Sequence, residues 1–241
     1  MVGLLNLLTA SKANKIDRFI QISTSEVYGI SKEYPITEDQ PVVANSPYAA
    51  SKASADLIAL SYFKTHSVPV VITRCSNNYG PYHFPEKLIP LCILNALNDK
   101  PLPIYGDGQQ IRDWLYVKDH CSAIREVLKQ GKIGETYNVG GWNEKTNLEV
   151  VETLCDILDE LKPKVDGSKY ENQITYVKDR PGHDRRYAID ASKLGSELGW
   201  KPTENFDSGL RKTVIWFLEN QDWIGRVVSG EYQNWVKKNY T

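Results

Sequence analysis

Tyr48 and Lys52 stand four residues apart in "SPYAASKASADLIALSYFKTH", a stretch that reads as a helix, so both side chains project from one face. An ammonium beside a phenol favours the phenolate, which turns a tyrosine into a base usable near neutral pH. The spacing alone is a weak signal, since a solvated helix face looks the same. Tyr28 and Lys32 repeat it, but Gly29 and the loop composition around them argue against a helix there. Context strengthens the first pair. The strand-like run "RFIQIS" leads into Ser23-Thr24-Ser25-Glu26, and Thr24 precedes Tyr48 by 24 residues. That spacing places the Thr24 hydroxyl near the phenol at the carboxyl edge of a parallel sheet, where ligands of open α/β sheets bind. A hydroxyl at a strand end also serves to satisfy backbone groups. Glu26, just past the strand, suits removal of a proton acidified by a neighbouring ketone, or else an exposed turn. Arg112 in "IRDWLYV" and Arg180, Arg185 and Arg186 in "DRPGHDRRY" suit bidentate phosphate binding or surface ion pairs.

These residues need elements to hold them. Residues 2–14 read as an amphipathic helix, and "VPVVITRCS" as a second buried strand. Ser46 is a natural N-cap and Pro47 fits the first turn of the Tyr48 helix. "GISKEYPITEDQPVVAN" and "NNYGPYHFPEK" are loops, and "LIPLCILNALND" is a helix. Gly106-Asp107-Gly108 makes a hairpin-like turn between short strands, and a helix follows from near Asp119. "ETYNVGG" is a strand, "NLEVVETLCDILDEL" an amphipathic helix, and "ITYV", "DASKLGSELGW" and "SGLRKTVIWFLENQ" give a strand and two helices. Helices alternating with buried strands define an α/β fold with a parallel sheet, followed by a smaller, loop-rich lobe. A strand–G-x-G-x-x-G–helix unit is missing, so in a dinucleotide-binding fold the phosphate-binding βα unit lies outside this sequence.

Composition narrows the classes. The 241 residues are 41% hydrophobic and 24% charged, an ordinary globular mix. A net charge of −1 favours neither nucleic acid nor an anionic membrane, so an anionic ligand needs local cations. Cys75, Cys92, Cys121 and Cys155 form no C-x-x-C, the four histidines show no metal-ligand spacing, and scattered cysteines suit a reducing cytoplasm. No apolar run approaches the ~20 residues of a membrane span.

Several blocks together closely resemble the extended short-chain dehydrogenase/reductase family, and within it the dTDP-glucose 4,6-dehydratases. They are "SPYAASKASAD", "RCSNNYGPYHFPEKLIP", "LPIYGDGQQIRDWLYVKDH", "ETYNVGGWNEKTN" and "DRPGHDRRYAIDASKLGSELGWKP". The resemblance implies a partial NAD-binding Rossmann fold lacking its first βα units, at 1–76 and 113–141. It adds a nucleotide-sugar-binding lobe at 77–112 and 142–241. It implies that Tyr48, with Lys52 and Thr24, oxidises a sugar at C4 using NAD, that Glu26 takes the C5 proton as water leaves C6, and that hydride returns to C6. Ser23 and Asn78 join Tyr48 and Lys52 at the cofactor. Thr24, Asn77, Lys87, Leu88, Pro103, Tyr105, Arg112, Asn147, Arg180, His183 and Tyr240 contact the nucleotide sugar, with Arg112 and Arg180 on the pyrophosphate. A homodimer through helices 2–14 and 47–66 follows by analogy.

The family's triplet is Thr-Asp-Glu, its Asp protonating the leaving hydroxyl; Ser25 occupies that place and is a poor proton donor, so slowed elimination is expected. Thr/Ser-Ser-Glu also resembles the triplets of GDP-mannose 4,6-dehydratases and UDP-glucuronate decarboxylases. Another sugar-nucleotide dehydratase, decarboxylase or epimerase is therefore the same-fold alternative, and a non-catalytic nucleotide-sugar-binding remnant the alternative from another class. Without the glycine fingerprint, weak NAD binding and low stability are expected of this chain by itself.

Overall fold

The computed structural model describes residues 2–31, 33–179 and 185–230. The chain divides into two units: Met1–Asn78, Ile111–Glu144 and Asp184–Asn205 form the first, and Tyr79–Gln110, Lys145–His183 and Phe206–Thr241 the second. The expected division placed 142–241 in the lobe. Residues 185–205 instead lie with the first unit, because Ile189 bridges to Ile36 and Leu194 joins the core of the parallel sheet.

In the first unit, helix α1 (Val2–Asn14) leads to strand β1 (Phe19–Thr24), helix α2 (Pro47–His66) and strand β2 (Val70–Cys75). Strand β3 (Asn77–Tyr79) falls where the chain leaves this unit, inside a segment expected to be loop. The chain returns as β5 (Ile111–Tyr116), α4 (Val117–Gln130) and β6 (Thr136–Val139), and later as β9 (Arg186–Tyr187) and α6 (Ser192–Leu198). Strands β1, β2 and β6 form a parallel sheet in the order β1-β2-β6, with Thr24 opposite Cys75 and Cys75 opposite Val139. Successive residues of β2 serve opposite faces. Val71 packs with Leu115, Val127, Tyr137 and Leu194, whereas Val70 and Ile72 pack with Leu8, Ala59 and Val68. Burial on both sides explains the near-continuous apolar run. The expected α/β parallel architecture of Rossmann type is what forms.

Helix α2 starts as its sequence dictates. The Ser46 hydroxyl accepts from the Ala49 N–H at 3.1 Å, and Pro47 occupies the first turn. Helix α4 begins two residues before Asp119, whose carboxylate accepts instead from the Thr203 hydroxyl (2.6 Å) and the Glu204 N–H (3.0 Å).

The second unit contains α3 (Leu88–Leu97), β4 (Leu102–Tyr105), α5 (Asn147–Leu161), β8 (Ile174–Val177), α7 (Phe206–Glu219) and α8 (Gln221–Val228); β7 (Glu144–Thr146) begins at its boundary. A reciprocal cap opens α5: Thr146 Oγ1 accepts from the Glu149 N–H, and the Glu149 carboxylate from the Thr146 N–H. The hairpin-like reading of Gly106–Gly108 does not hold. Strand β4 pairs in parallel with β8, and β5 with β9. The turn is real, with Gly106 and Gly108 both at positive φ, but it connects strands that take distant partners.

Candidate active site

Three polar residues four apart on α2, Tyr48, Lys52 and Asp56, meet three consecutive residues at the end of β1. Asp56 Oδ2 accepts from the Ser23 hydroxyl at 3.0 Å, and the Lys52 ammonium donates to the Ile22 carbonyl at 2.8 Å. The Tyr48 phenol lies close enough to the Thr24 side chain for Thr24 to lower its pKa. Thr24 Oγ1 also accepts from the Glu26 N–H at 3.3 Å, starting a single 3-10 turn over Ser25–Tyr28. That turn must end at Gly29: φ is +65° there, and a Cβ would lie 1.9 Å from the Val43 carbonyl oxygen. The strand end therefore holds Thr24 and Ser25 buried and Glu26 half-buried, while Tyr48 is 54% exposed.

The electrostatics differ from the expectation. Burial raises the Tyr48 pKa above its ordinary value, Glu26 and Cys75 raise it further, and Thr24 pulls it down. Lys52 is not among the groups that shift it.

Behind this edge lies a polar network that sequence reasoning missed. Asp56 Oδ2 also takes a hydrogen bond from Arg74 Nε at 3.0 Å, an ion pair sealed from solvent on both sides. The Arg74 guanidinium lies 4.8 Å from the centroid of the Tyr28 ring, and the Tyr28 hydroxyl donates to Asn138 Oδ1 at 2.8 Å. Asn138 in turn donates to the Ile36 carbonyl from Nδ2 and to Glu38 Oε1 from its backbone. Burial raises the Asp56 carboxyl pKa despite the opposing pull of Arg74. Ser23, expected at the cofactor, spends its hydroxyl on this network. Tyr28, with the same Tyr-x-x-x-Lys spacing as Tyr48, is buried in a 3-10 turn and belongs to it too.

Past β2, Asn77 and Asn78 are half-buried at the same sheet's carboxyl end. The Asn78 amide donates to the Ser76 carbonyl at 3.1 Å, and its Oδ1 meets His120 Nδ1 at 2.9 Å. Arg112 lies inside β5. Its guanidinium donates to the Ile111 carbonyl at 2.7 Å and sits 4.9 Å from the Tyr187 ring centroid. Arg186 makes two hydrogen bonds to Glu144, at 2.7 and 2.9 Å, the ion-pair alternative for that arginine cluster.

The second unit gathers Lys87 and Leu88 at the start of α3, Pro103 and Tyr105 on β4, and Asn147 at the start of α5. Helices α3 and α5 pack on β4 and on each other. Leu148 donates from its backbone to the Gly108 carbonyl at 3.0 Å and Asn147 to the Gln110 carbonyl at 3.0 Å, which ties the 106–110 segment to α5. Lys87 is exposed and paired with Glu86 at 3.0 Å. Arg180, His183 and Tyr240 lie outside the described residues. Among the described residues no group of three His, Cys, Asp or Glu could hold a metal ion, and no helix is long and apolar enough to cross a membrane.

A parallel sheet of Rossmann type, with Thr, Tyr and Lys at its carboxyl edge, defines the class. The chain belongs to the family described as GDP-mannose 4,6 dehydratase, which its residues 1–213 match. It is 59% identical over 233 residues to the dTDP-glucose 4,6-dehydratase of Salmonella typhimurium (strain LT2), covering 92% of this chain and 64% of that protein. It is 57% identical over 243 residues to dTDP-glucose 4,6-dehydratase 1 of Escherichia coli (strain K12), covering 97% and 66%. The chain thus spans slightly less than two thirds of these relatives. The crystal structure of dTDP-glucose 4,6-dehydratase from Bacillus anthracis str. Ames, in complex with NAD, matches with a TM-score of 0.84 at 51% identity, covering 92% of this chain and 68% of that one.

Proposed function

We propose that the chain carries the reacting residues of an NAD-dependent dTDP-glucose 4,6-dehydratase, a hydro-lyase that forms the 4-keto-6-deoxy sugar nucleotide. The observation that carries this reading is the Thr24 hydroxyl against the half-exposed Tyr48 phenol at the sheet's carboxyl edge, with Glu26 two residues on. The relatives at 57–59% identity support the same reaction. The donor set, a phenol, an ammonium and a carboxamide from Tyr48, Lys52 and Asn78, fits the nicotinamide end of NAD. When bound there, NAD supplies a two-electron oxidant for C4 and, later, the reductant for C6.

Tyr48 acts in its phenolate form, accepting the proton of the sugar's 4-hydroxyl, with Thr24 orienting that hydroxyl. The C4 ketone acidifies the C5 proton, and Glu26 takes it. Ser25 hydrogen-bonds the C6 oxygen, which leaves as water with the proton Glu26 has taken, a weaker contribution than an acid would make. As hydride returns to C6, C5 regains a proton that balances the one taken by Tyr48. Arg112, with Arg180, is assigned to the pyrophosphate. Asn77, Lys87, Leu88, Pro103, Tyr105, Asn147, His183 and Tyr240 are assigned to the rest of the nucleotide sugar.

A homodimer through α1 and α2 belongs to the same proposal, supported by exposed Val2, Leu7 and Leu57 on those helices. A reducing cytoplasm is supported by four cysteines that are all free thiols. The test incubates the chain and excess NAD with dTDP-glucose, UDP-glucose and UDP-glucuronate separately and weighs the products. Loss of one water from dTDP-glucose is expected. Isomerisation without mass change, or loss of carbon dioxide from UDP-glucuronate alone, would replace the dehydratase with an epimerase or decarboxylase.

A further inference from the structure

His120 sits in the first turn of α4, buried, with Nδ1 2.9 Å from Asn78 Oδ1. The other end of the same carboxamide, Nδ2, donates to the Ser76 carbonyl at 3.1 Å. A carbonyl cannot receive a bond from the amide oxygen, so Oδ1 must face His120. Oδ1 carries no proton, so Nδ1 must. Nε2 is then a bare acceptor, and it is buried with no hydrogen-bond partner. A residue chosen for packing alone would leave no such orphan, because an apolar side chain fills space without one. Burial also lowers the imidazole pKa to about 4, so the ring stays neutral at ordinary pH.

We infer that His120 is a positioning residue for Asn78, its Nδ1–H fixing the rotation and polarity of the carboxamide that meets the nicotinamide. The inference rests on the reading of Asn78 as a cofactor contact. It adds a residue from a different element, in a defined tautomer, to the site. Ser76 holds one end of the amide and His120 the other. Ser76 is itself fixed by a backbone hydrogen bond to the Val139 carbonyl at 3.0 Å, at the end of β6. The carboxamide is thereby tied to both β6 and α4.

Two variants separate positioning from packing. His120→Asn keeps a side-chain N–H donor near the place of Nδ1 and removes Nε2, while His120→Leu keeps apolar bulk and removes the donor. Positioning predicts that His120→Asn holds NAD close to wild-type affinity and that His120→Leu weakens it about tenfold. Packing predicts the reverse order, because Leu suits a dry site better than Asn.

A second readout is independent of NAD. In 15N spectra of the intact chain, the Asn78 side-chain amide is expected to be resolved and protected in wild type and His120→Asn, and averaged in His120→Leu. The wild-type imidazole itself is expected to show a protonated Nδ1 and an unprotonated Nε2, a measurement that stands even if a variant fails to fold. An Nε2–H tautomer, or an Asn78 amide unchanged in a folded His120→Leu, overturns the inference whatever NAD does. If the amide follows the Asn-but-not-Leu pattern while NAD affinity stays equal in all three proteins, the hydrogen bond stands. The reading of Asn78 as a cofactor contact, and with it the positioning role, then falls.

Discussion

Tyr48 and Asp56 lie about two turns apart on one face of α2, and both meet the end of β1. Tyr48 is 54% exposed and stands beside the Thr24 hydroxyl, whereas Asp56 is 1% exposed and binds Ser23 and Arg74. Lys52, between them, binds the strand's backbone at Ile22. One polar stripe thus grades from a fixed, dry ion pair to a phenol open to a ligand. Chemistry needs both ends: the buried end fixes the helix against the strand, and the open end presents groups whose protons can move.

The largest effects should separate those two ends. Tyr48→Phe should lower dehydration turnover by about 10²–10⁴-fold while moving the urea midpoint by no more than a surface change does, about 0.5 kcal/mol. Asp56→Ala should do the opposite, costing about 3–5 kcal/mol in equilibrium unfolding because Arg74 is left buried without its partner. Similar stability losses in both variants would erase the distinction between the two ends.

Ser25→Asp adds an acid one residue past Thr24. A gain in elimination rate on the order of 10²-fold is expected, with sugar oxidation unchanged in single-turnover measurements. No gain would mean that another group protonates the leaving oxygen.

The smallest effect belongs to the buried side. Burial lowers the His120 pKa to about 4, against an ordinary value of 6.5. Between those values the unfolded chain binds a proton that the folded protein does not. Stability should therefore fall as pH drops from 6.5 towards 4 and level off below, by at most about 3 kcal/mol from this group. Denaturant midpoints measured across that range in wild type and His120→Asn check it, the variant giving the shallower slope.

How far the sequence alone reaches follows the same division. Local rules found α2, because Ser46 and Pro47 are start signals within four residues of Tyr48. They also found β1 and β2, whose β-branched runs are buried on both faces. The Thr24–Tyr48 approach was legible because a parallel sheet brings strand ends and helix starts to one edge. The pairing of Asp56 with Arg74, 18 residues apart, leaves no local mark, and neither does the link from Tyr28 to Asn138, 110 residues apart. His120 reads as an ordinary helical residue until Asn78 is seen against it. The turn at Gly106–Gly108 was found but its strands were mispaired, since a turn's chemistry does not say which partners its strands will choose. The Tyr48 pKa was misjudged because helix spacing cannot reveal that burial and the nearby Glu26 raise it.

The central claim is that one site removes two electrons with hydrogen from C4 and returns them at C6. The most direct measurement uses dTDP-glucose carrying deuterium at C4 and follows the label into product. The account predicts a product lighter by one water with the deuterium at C6. Deuterium retained at C4, or a product of unchanged mass, would contradict it.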